Sequence, residues 1–207
     1  RQMCIRDRLK AWERNPNLVL TFYNERRKQV NKAAPNKAHL SLVQLEKYFD
    51  VSIVTQNVDN LHEKAGSSNV LHLHGELSKA QSSKDSNLIY NLKNWEMKMG
   101  DTCEKGHQLR PNIVWFGEPV PMINEAIPKF QDADIAIVIG TSLTVYPASG
   151  LIDYLTPVSE RYYIDPRGYE NKNIMNFKII SLKAEKGVSE ISNQLIEKLK
   201  EIDLNDK

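Results

Sequence analysis

Apolar positions along the chain switch between a helical and an alternating period, and those switches set the order of elements. The run P-N-L-V-L-T-F-Y-N-E-R-R-K-Q predicts a helix opening at Asn15-Pro16, with Leu18, Phe22 and Val30 toward a core and charges opposite. Pro35-Asn36 predicts a second helix in which Leu40, Val43 and Leu45 are core candidates and His39 is structural. The apolar run Val51 to Val54 then stops at Thr55-Gln56-Asn57. A short amphipathic piece carries Val58, Leu61 and Ala65 at helical spacing, and a second β-type run, Val70 to Leu73, delivers His74 against Gly75.

Further along, Ser78 to Asn87 is polar and reads as weakly structured. Asn87 to Met99 is mixed, and Gly100 to Gly106 is loop-like. Leu109 to Glu118 predicts a buried strand ending near Gly117, and Pro121 to Phe130 a helix. Ala133 to Ile139 is almost continuously apolar, as expected of a parallel strand covered on both faces. Pro147 predicts the next helix start, and Arg161 to Ile164 and Phe177 to Leu182 two short strands. Val188, Ile191, Leu195, Ile196 and Leu199 form one stripe of a closing amphipathic helix. This alternation predicts an α/β fold with a doubly wound parallel, Rossmann-like sheet. Its domain would comprise 12–77 and 108–207, with 78–107 as a small inserted module and 1–11 foreign to it.

Composition changes this picture little. With 207 residues, 41% hydrophobic and 26% charged, the chain is ordinary for a globular domain. A formal charge of +2 without a Lys/Arg stripe argues against nucleic acid as a partner. No apolar run is long enough to span a bilayer and no secretory signal pattern appears, so the expectation is a cytoplasmic, monomeric protein. Cys4 and Cys103 alone cannot make a disulfide framework or a four-thiolate metal site, and no metal is expected.

The chemistry concentrates at strand ends, where open α/β sheets build ligand sites. His74 suits general-base work because its pKa lies near neutrality, although a lone histidine at a strand end is more often simply satisfied. Gln56, Asn57 and Asp59, one strand away, tip the balance toward a site that grips a ribose or a carboxamide. Gly140-Thr141-Ser142 at the end of an apolar run allows close approach of a phosphate or ribose, and Asp165 can accept from ribose hydroxyls. Tyr23 and Arg26, three apart on a helix, are neighbours that could clamp a carboxylate.

The order T-Q-N-x-D-x-L-H-x-x-A-G followed by L-H-G closely resembles the central motif of sirtuins, the NAD-dependent protein lysine deacylases. R-P-N-I-V-W-F-G-E and G-T-S-L-T-V-Y-P-A-S-G-L resemble further stretches of the same family. The resemblance implies that Gln56, Asn57 and Asp59 surround nicotinamide and its ribose, and that His74 is the general base. It implies that the acyl group of lysine passes to ADP-ribose as nicotinamide leaves. Val114, Phe116, Gly117 and Glu118 would take the peptide as an added strand. Ala184, within Lys183-Ala184-Glu185, would line the adenine pocket. The Tyr23/Arg26 pair resembles that of members removing succinyl and malonyl groups. Two features depart from the family: Asp165 stands where Asn is usual, and the two C-x-x-C pairs of the structural zinc are lacking. A Gly-Ala-Gly loop and the strand before it do not appear ahead of Trp12, so the chain reads as a fragment of an active enzyme, lacking one wall of the cofactor site. Two other readings compete: a non-catalytic binding module of the same fold, and a metal-dependent hydrolase using His72 and His74 on one strand face.

Overall fold

The computed structural model describes residues 9–170, 174 and 176–205, so Cys4 and most of the 1–11 piece lie outside the described residues. The chain folds into two compact units and crosses between them at Ala34/Pro35, Val54/Thr55, Asn60/Leu61, Leu71/His72 and Met122/Ile123.

The first unit begins with helices α1 (Leu9–Arg14) and α2 (Pro16–Lys32). Asn15 caps α2 by accepting from the Leu18 N–H at 3.0 Å, as the Asn-Pro start predicts. The buried face of α2 is Val19, Leu20, Tyr23 and Arg27, one residue out of phase with the expected stripe. Leu18 sits in the capped first turn and is 44% exposed, because three successive apolar residues leave the phase of a helix undetermined. Strand β1 (Ile53–Thr55) starts two residues later than the apolar run and pairs with β2 (Val70–His72); only the last residue of each, Thr55 and His72, belongs to the first unit. Beyond it, β3 (Gly75–Ser82) is an eight-residue strand flanked by antiparallel β4 (Ile89–Asn91) and β5 (Leu109–Ile113). Ser78 to Ser82 of the polar stretch is therefore strand, and only Ser83 to Asn87 is turn. Its pattern hides because the buried residues Leu77, Ala80 and Ser82 are three and then two apart, across a register shift between Glu76 and Ala80, and only one of them is large and apolar.

The segment after β4 docks on α2 through main-chain groups. The Asn24 side chain donates to the Met97 carbonyl at 3.0 Å and accepts from the Met97 N–H at 2.9 Å, while Arg27 Nε donates to the Trp95 carbonyl at 2.7 Å. Met97 itself is buried with Leu20 and Ala80. The hairpin around Cys103 closes through Cys103 N–H to His107 O, the Lys105–Asp85 ion pair at 2.8 Å and a Tyr90–Glu104 hydrogen bond. Cys103 Sγ donates to Ser82 Oγ.

The second unit holds α3 (Lys37–Leu45), α4 (Leu61–Ala65), α5 (Ile123–Gln131) and α6 (Ala184–Asn205) around the parallel sheet β6 (Ile135–Ile139), β7 (Glu160–Ile164) and β8 (Lys178–Ile180), in that order. His39 is structural: Asn36 and His39 form a reciprocal capping box at the start of α3. Leu45 is buried as expected and Val43 is half-buried, but Leu40 is 53% exposed, and Ala38 and Leu42 complete the buried stripe in its place. Helix α4 begins only at Leu61 and buries none of its residues, while Val58 lies outside it. The element after Pro147 is a 3-10 helix, Ala148–Tyr154. In β6 only Ala136 is fully buried, the other four residues being half-buried. The closing helix matches its pattern: Val188, Ile191, Leu195 and Ile196 pack on Tyr162, Ile164 and α3. Parallel strands with helices packed on them are the expected α/β architecture.

Glu160 ties this sheet together, bonding Lys178 and Lys198 and accepting from the Tyr162 hydroxyl at 2.7 Å. The Lys178 and Tyr162 hydrogen bonds hold its carboxyl down to about 2. A depressed carboxyl contributes stability above its unfolded pKa near 4.5 and loses it as pH falls toward 2. Replacing Glu160 by Gln should therefore cost about 1 kcal/mol at pH 7, given its partial solvent screening. Urea titrations should show the difference vanishing between pH 4.5 and 2; a gap that persists at pH 2 would contradict the network.

Candidate active site

In the first unit, His74 occupies the two-residue turn between β2 and β3, so it does not share a strand with His72 as the metal reading required. Two segments fix this turn by main-chain bonds. Leu73 N–H donates to Thr55 O at 2.9 Å and Leu77 N–H to Val58 O at 2.8 Å, while Val114 N–H donates to His74 O at 2.9 Å. Gly75 is demanded by the geometry: its φ is +80°, and a Cβ there would lie 2.1 Å from the Asn112 carbonyl oxygen.

The same fixed segment sets the imidazoles. His74 Nδ1 lies 3.2 Å from Gln56 O, and His72 Nδ1 lies 3.0 Å from Asn57 O. A carbonyl oxygen can only accept, so Nδ1 of His74 carries the hydrogen and Nε2 keeps its lone pair. Burial pushes the His74 pKa below its ordinary value, and the Gln56 carbonyl opposes this only in part. The neutral, proton-accepting form therefore prevails at neutral pH. Asn57, whose N–H is bound by Thr55 Oγ1 at 3.0 Å, exposes its side chain, and Gln56 and Asp59 are half-buried in the same segment. Among the described residues, no three His, Cys, Asp or Glu side chains gather to hold a metal ion.

The loop after β5 is held by a buried ion pair. Arg110 donates to both carboxylate oxygens of Glu118, at 2.6 and 2.9 Å, and to Ile113 O at 2.8 Å. Its guanidinium stacks 3.5 Å from the centroid of the Trp115 ring. Glu118 also accepts the Trp115 N–H at 2.8 Å. Burial raises the Glu118 carboxyl, but the Arg110 and Trp115 hydrogen bonds outweigh it and leave its pKa below the ordinary carboxylate range. Between these anchors Phe116 is 62% exposed and Gly117 adopts a φ of +96°, while Val114 is half-buried. The buried Trp115 donates its Nε1–H to the Tyr23 hydroxyl at 2.9 Å. Tyr23 packs edge-on against Phe22, and the Arg26 guanidinium lies 5.3 Å from the Phe22 ring. Sequence reasoning passed over Arg110, Trp115, Asn24 and Arg27. A charged residue inside an apolar strand was the available signal for Arg110.

In the second unit, Gly140, Asp165 and Ala184 follow the carboxyl ends of β6, β7 and β8. Gly140 N–H donates to Ile164 O at 2.9 Å, and Asp165 N–H to Ile180 O at 3.3 Å, which fixes the three ends relative to one another. Gly140 has a φ of +60° and open space where a side chain would project. Leu143, also left-handed at φ 53°, buries its side chain beside Tyr163 and anchors the loop, and the Tyr163 hydroxyl donates to Thr141 O at 2.6 Å. Thr141 Oγ1 accepts the Leu143 N–H, and Ser142 Oγ pairs with Thr144 Oγ1 at 2.8 Å. Asp165 Oδ1 accepts the Arg167 N–H.

Residues 5–147 match the sequence pattern of the Sir2 family. The chain belongs to the Sir2 family. It is 48% identical to the NAD-dependent protein deacylase of Bacteroides thetaiotaomicron, covering 90% of this chain and 82% of that one. It is 47% identical to the protein of the same name from Helicobacter pylori, covering 90% and 81%. A crystal structure of a Sir2 homologue in complex with NAD superposes with a TM-score of 0.83 at 32% identity, over 94% of this chain and 77% of that one. A Sir2 structure bound to acetylated peptide does so at 0.75 and 27%, over 93% and 82%. Within this Sir2 chain the donor set suits a dinucleotide. In the second unit, hydroxyls and an accessible glycine backbone stand at the carboxyl ends of parallel strands beside a carboxylate, a donor set of the kind that holds a nucleotide.

The buried pair carries a stability prediction. Arg110→Met leaves the Glu118 carboxylate buried without its partner and should cost about 3 kcal/mol or more, whereas Arg110→Met with Glu118→Leu should recover much of the loss. Denaturant midpoints of the two variants decide it; equal losses would show that packing, not charge, fixes the loop.

Proposed function

We propose that this chain is an NAD-dependent protein-lysine deacylase that uses His74 as general base and Tyr23 and Arg26 to favour acidic acyl groups, succinyl and malonyl, while still accepting acetyl. The observation that carries the reading is the His74 arrangement: Nδ1 fixed on the Gln56 carbonyl, the turn locked by Thr55, Val58 and Val114, and a pKa lowered by burial. Bound NAD supplies the ribose that receives the acyl group, with nicotinamide as leaving group. Gln56, Asn57 and Asp59 would hold the nicotinamide ribose and carboxamide, and Gly140, Thr141, Ser142, Asp165 and Ala184 are the further cofactor-binding candidates that the family resemblance implies. His74 Nε2 accepts a proton from a ribose hydroxyl, and Nδ1–H on Gln56 O stabilises the imidazolium that results. The acylated lysine arrives on a peptide laid as an extra strand against Val114, Phe116 and Gly117, with Glu118 fixing that edge through Arg110.

At the acyl end, Arg26 supplies a guanidinium that can engage a carboxylate through two donors, and Tyr23 a hydroxyl whose position Trp115 sets. Arg26 bonds Gln29 at 3.3 Å, a neutral partner on the helix surface that a carboxylate displaces at little cost. Arg26→Met should lower kcat/KM for a succinyl-lysine peptide by about 100-fold or more, the scale of a lost charge-assisted pair, and change the acetyl reaction much less. Parallel losses on both peptides would remove the acyl-selectivity assignment.

The acid limb of the pH profile tests the base. Because the neutral imidazole is required and its pKa is lowered, kcat/KM should stay level down to the ordinary histidine value of about 6.5 and fall only below it. His74→Asn should abolish turnover and leave NAD binding intact. An apparent pKa above 7 would point to another base.

A further inference from the structure

The first unit contains a cleft of about 170 Å³ that the deacylase reading does not use. It is lined by the C-terminal half of α2, with Arg27, Val30 and Asn31, by Asn60, by Leu77 and Ser78 of β3, and by residues 92–95 beyond β4. Two cations, Arg27 and Lys93, line it together with three amides, a hydroxyl and the Trp95 indole, and among the described residues no carboxylate does. Arg27 is only 4% exposed. Its Nε and Nη2 are used by Trp95 O and Asn24 Oδ1, both neutral acceptors, while Nη1 is buried without a hydrogen-bond partner. Asn60 leaves its Oδ1 equally buried and unmatched on the same lining.

A buried guanidinium ordinarily faces a carboxylate, because withdrawing an unpaired charge from water is costly. Elsewhere in this unit the rule is obeyed, since Arg110 has Glu118. Arg27 has two neutral partners and an open cleft instead, and burial has already pushed its pKa down to about 10, the mark of a charge short of compensation. We propose that the cleft is a binding site for a small oxyanion, a carboxylate or a phosphate, which supplies the missing counter-charge. Lys93, exposed at the rim, adds the second positive charge, and Ser78, Asn31 and Asn94 add neutral donors. The volume admits an anion of a few heavy atoms and excludes a nucleotide. Asn60 directly follows Asp59, so the bound anion sits against the segment that carries Gln56, Asn57 and Asp59.

The experiment titrates the full chain with sodium phosphate and, separately, sodium acetate, each balanced with sodium chloride at constant ionic strength, and follows amide resonances of Asn31, Ser78 and Asn94. Saturable shifts at these positions are expected with at least one anion, and which anion acts separates a phosphate from a carboxylate site. Lys93→Gln should weaken that binding roughly fivefold. Asn31→Asp places a carboxylate one helical turn from Arg27, at i+4; it should abolish the response and raise the melting temperature by itself. Absence of shifts at the cleft with both anions, or shifts that survive both substitutions unchanged, overturns the site. Because neither readout depends on turnover, failure here leaves the deacylase assignment standing, and failure of that assignment leaves this one.

Discussion

The turn that carries His74 is too short to be held by its own two residues, and it is held by everything around it. The carbonyl of His74 is spent on Val114, its flanking N–H groups reach Thr55 and Val58, and its Nδ1 rests on Gln56. The glycine that follows is pressed against the Asn112 carbonyl so closely that any side chain would break the contact. Main-chain bonds of this sort have little freedom, which is why tautomer and ring orientation follow from the backbone rather than from a carboxylate partner. The consequence is an imidazole whose pKa is set by burial and one carbonyl, a simple environment compared with a charge-paired histidine.

Helix α2 performs three tasks on one buried face. Tyr23 meets Trp115 beneath the loop that follows β5, Asn24 satisfies both main-chain groups of Met97, and Arg27 holds the Trp95 carbonyl. Side chains that reach across to backbone groups brace this loop-rich segment. They fix a path by satisfying its polar groups, and the apolar contact of Met97 with Leu20 and Ala80 excludes water from those bonds.

Much of this was legible in the sequence, and the failures have physical causes. The alternation of runs gave the α/β class, and the T-Q-N and L-H-G motifs led to His74 because motif spacing is preserved when strands end in turns. The helix phases were missed at Leu18 and Leu40, since neighbouring apolar residues permit more than one stripe and only packing chooses among them. Strand β3 escapes a linear reading because a register shift between Glu76 and Ala80 breaks its alternation and because Ala80 and Ser82, on its buried side, are small. Arg110 and Trp115 went unread for a different reason. Their importance lies in a pairing across eight residues and a hydrogen bond to a residue 92 positions away, and neither distance is visible in a linear pattern.

The clamp at the end of β5 separates anchoring from display. Arg110, Trp115 and Glu118 fix the two ends of a short bridge, and Phe116 and Gly117 span it facing outward. Substitutions at Phe116 therefore meet almost no resistance from folding, while substitutions at either abutment break the clamp. Under the peptide docking proposed above, divergence in which proteins are served can accumulate on the span without eroding the frame beneath it, so a lineage can change its clientele gradually while its chemistry stays constant.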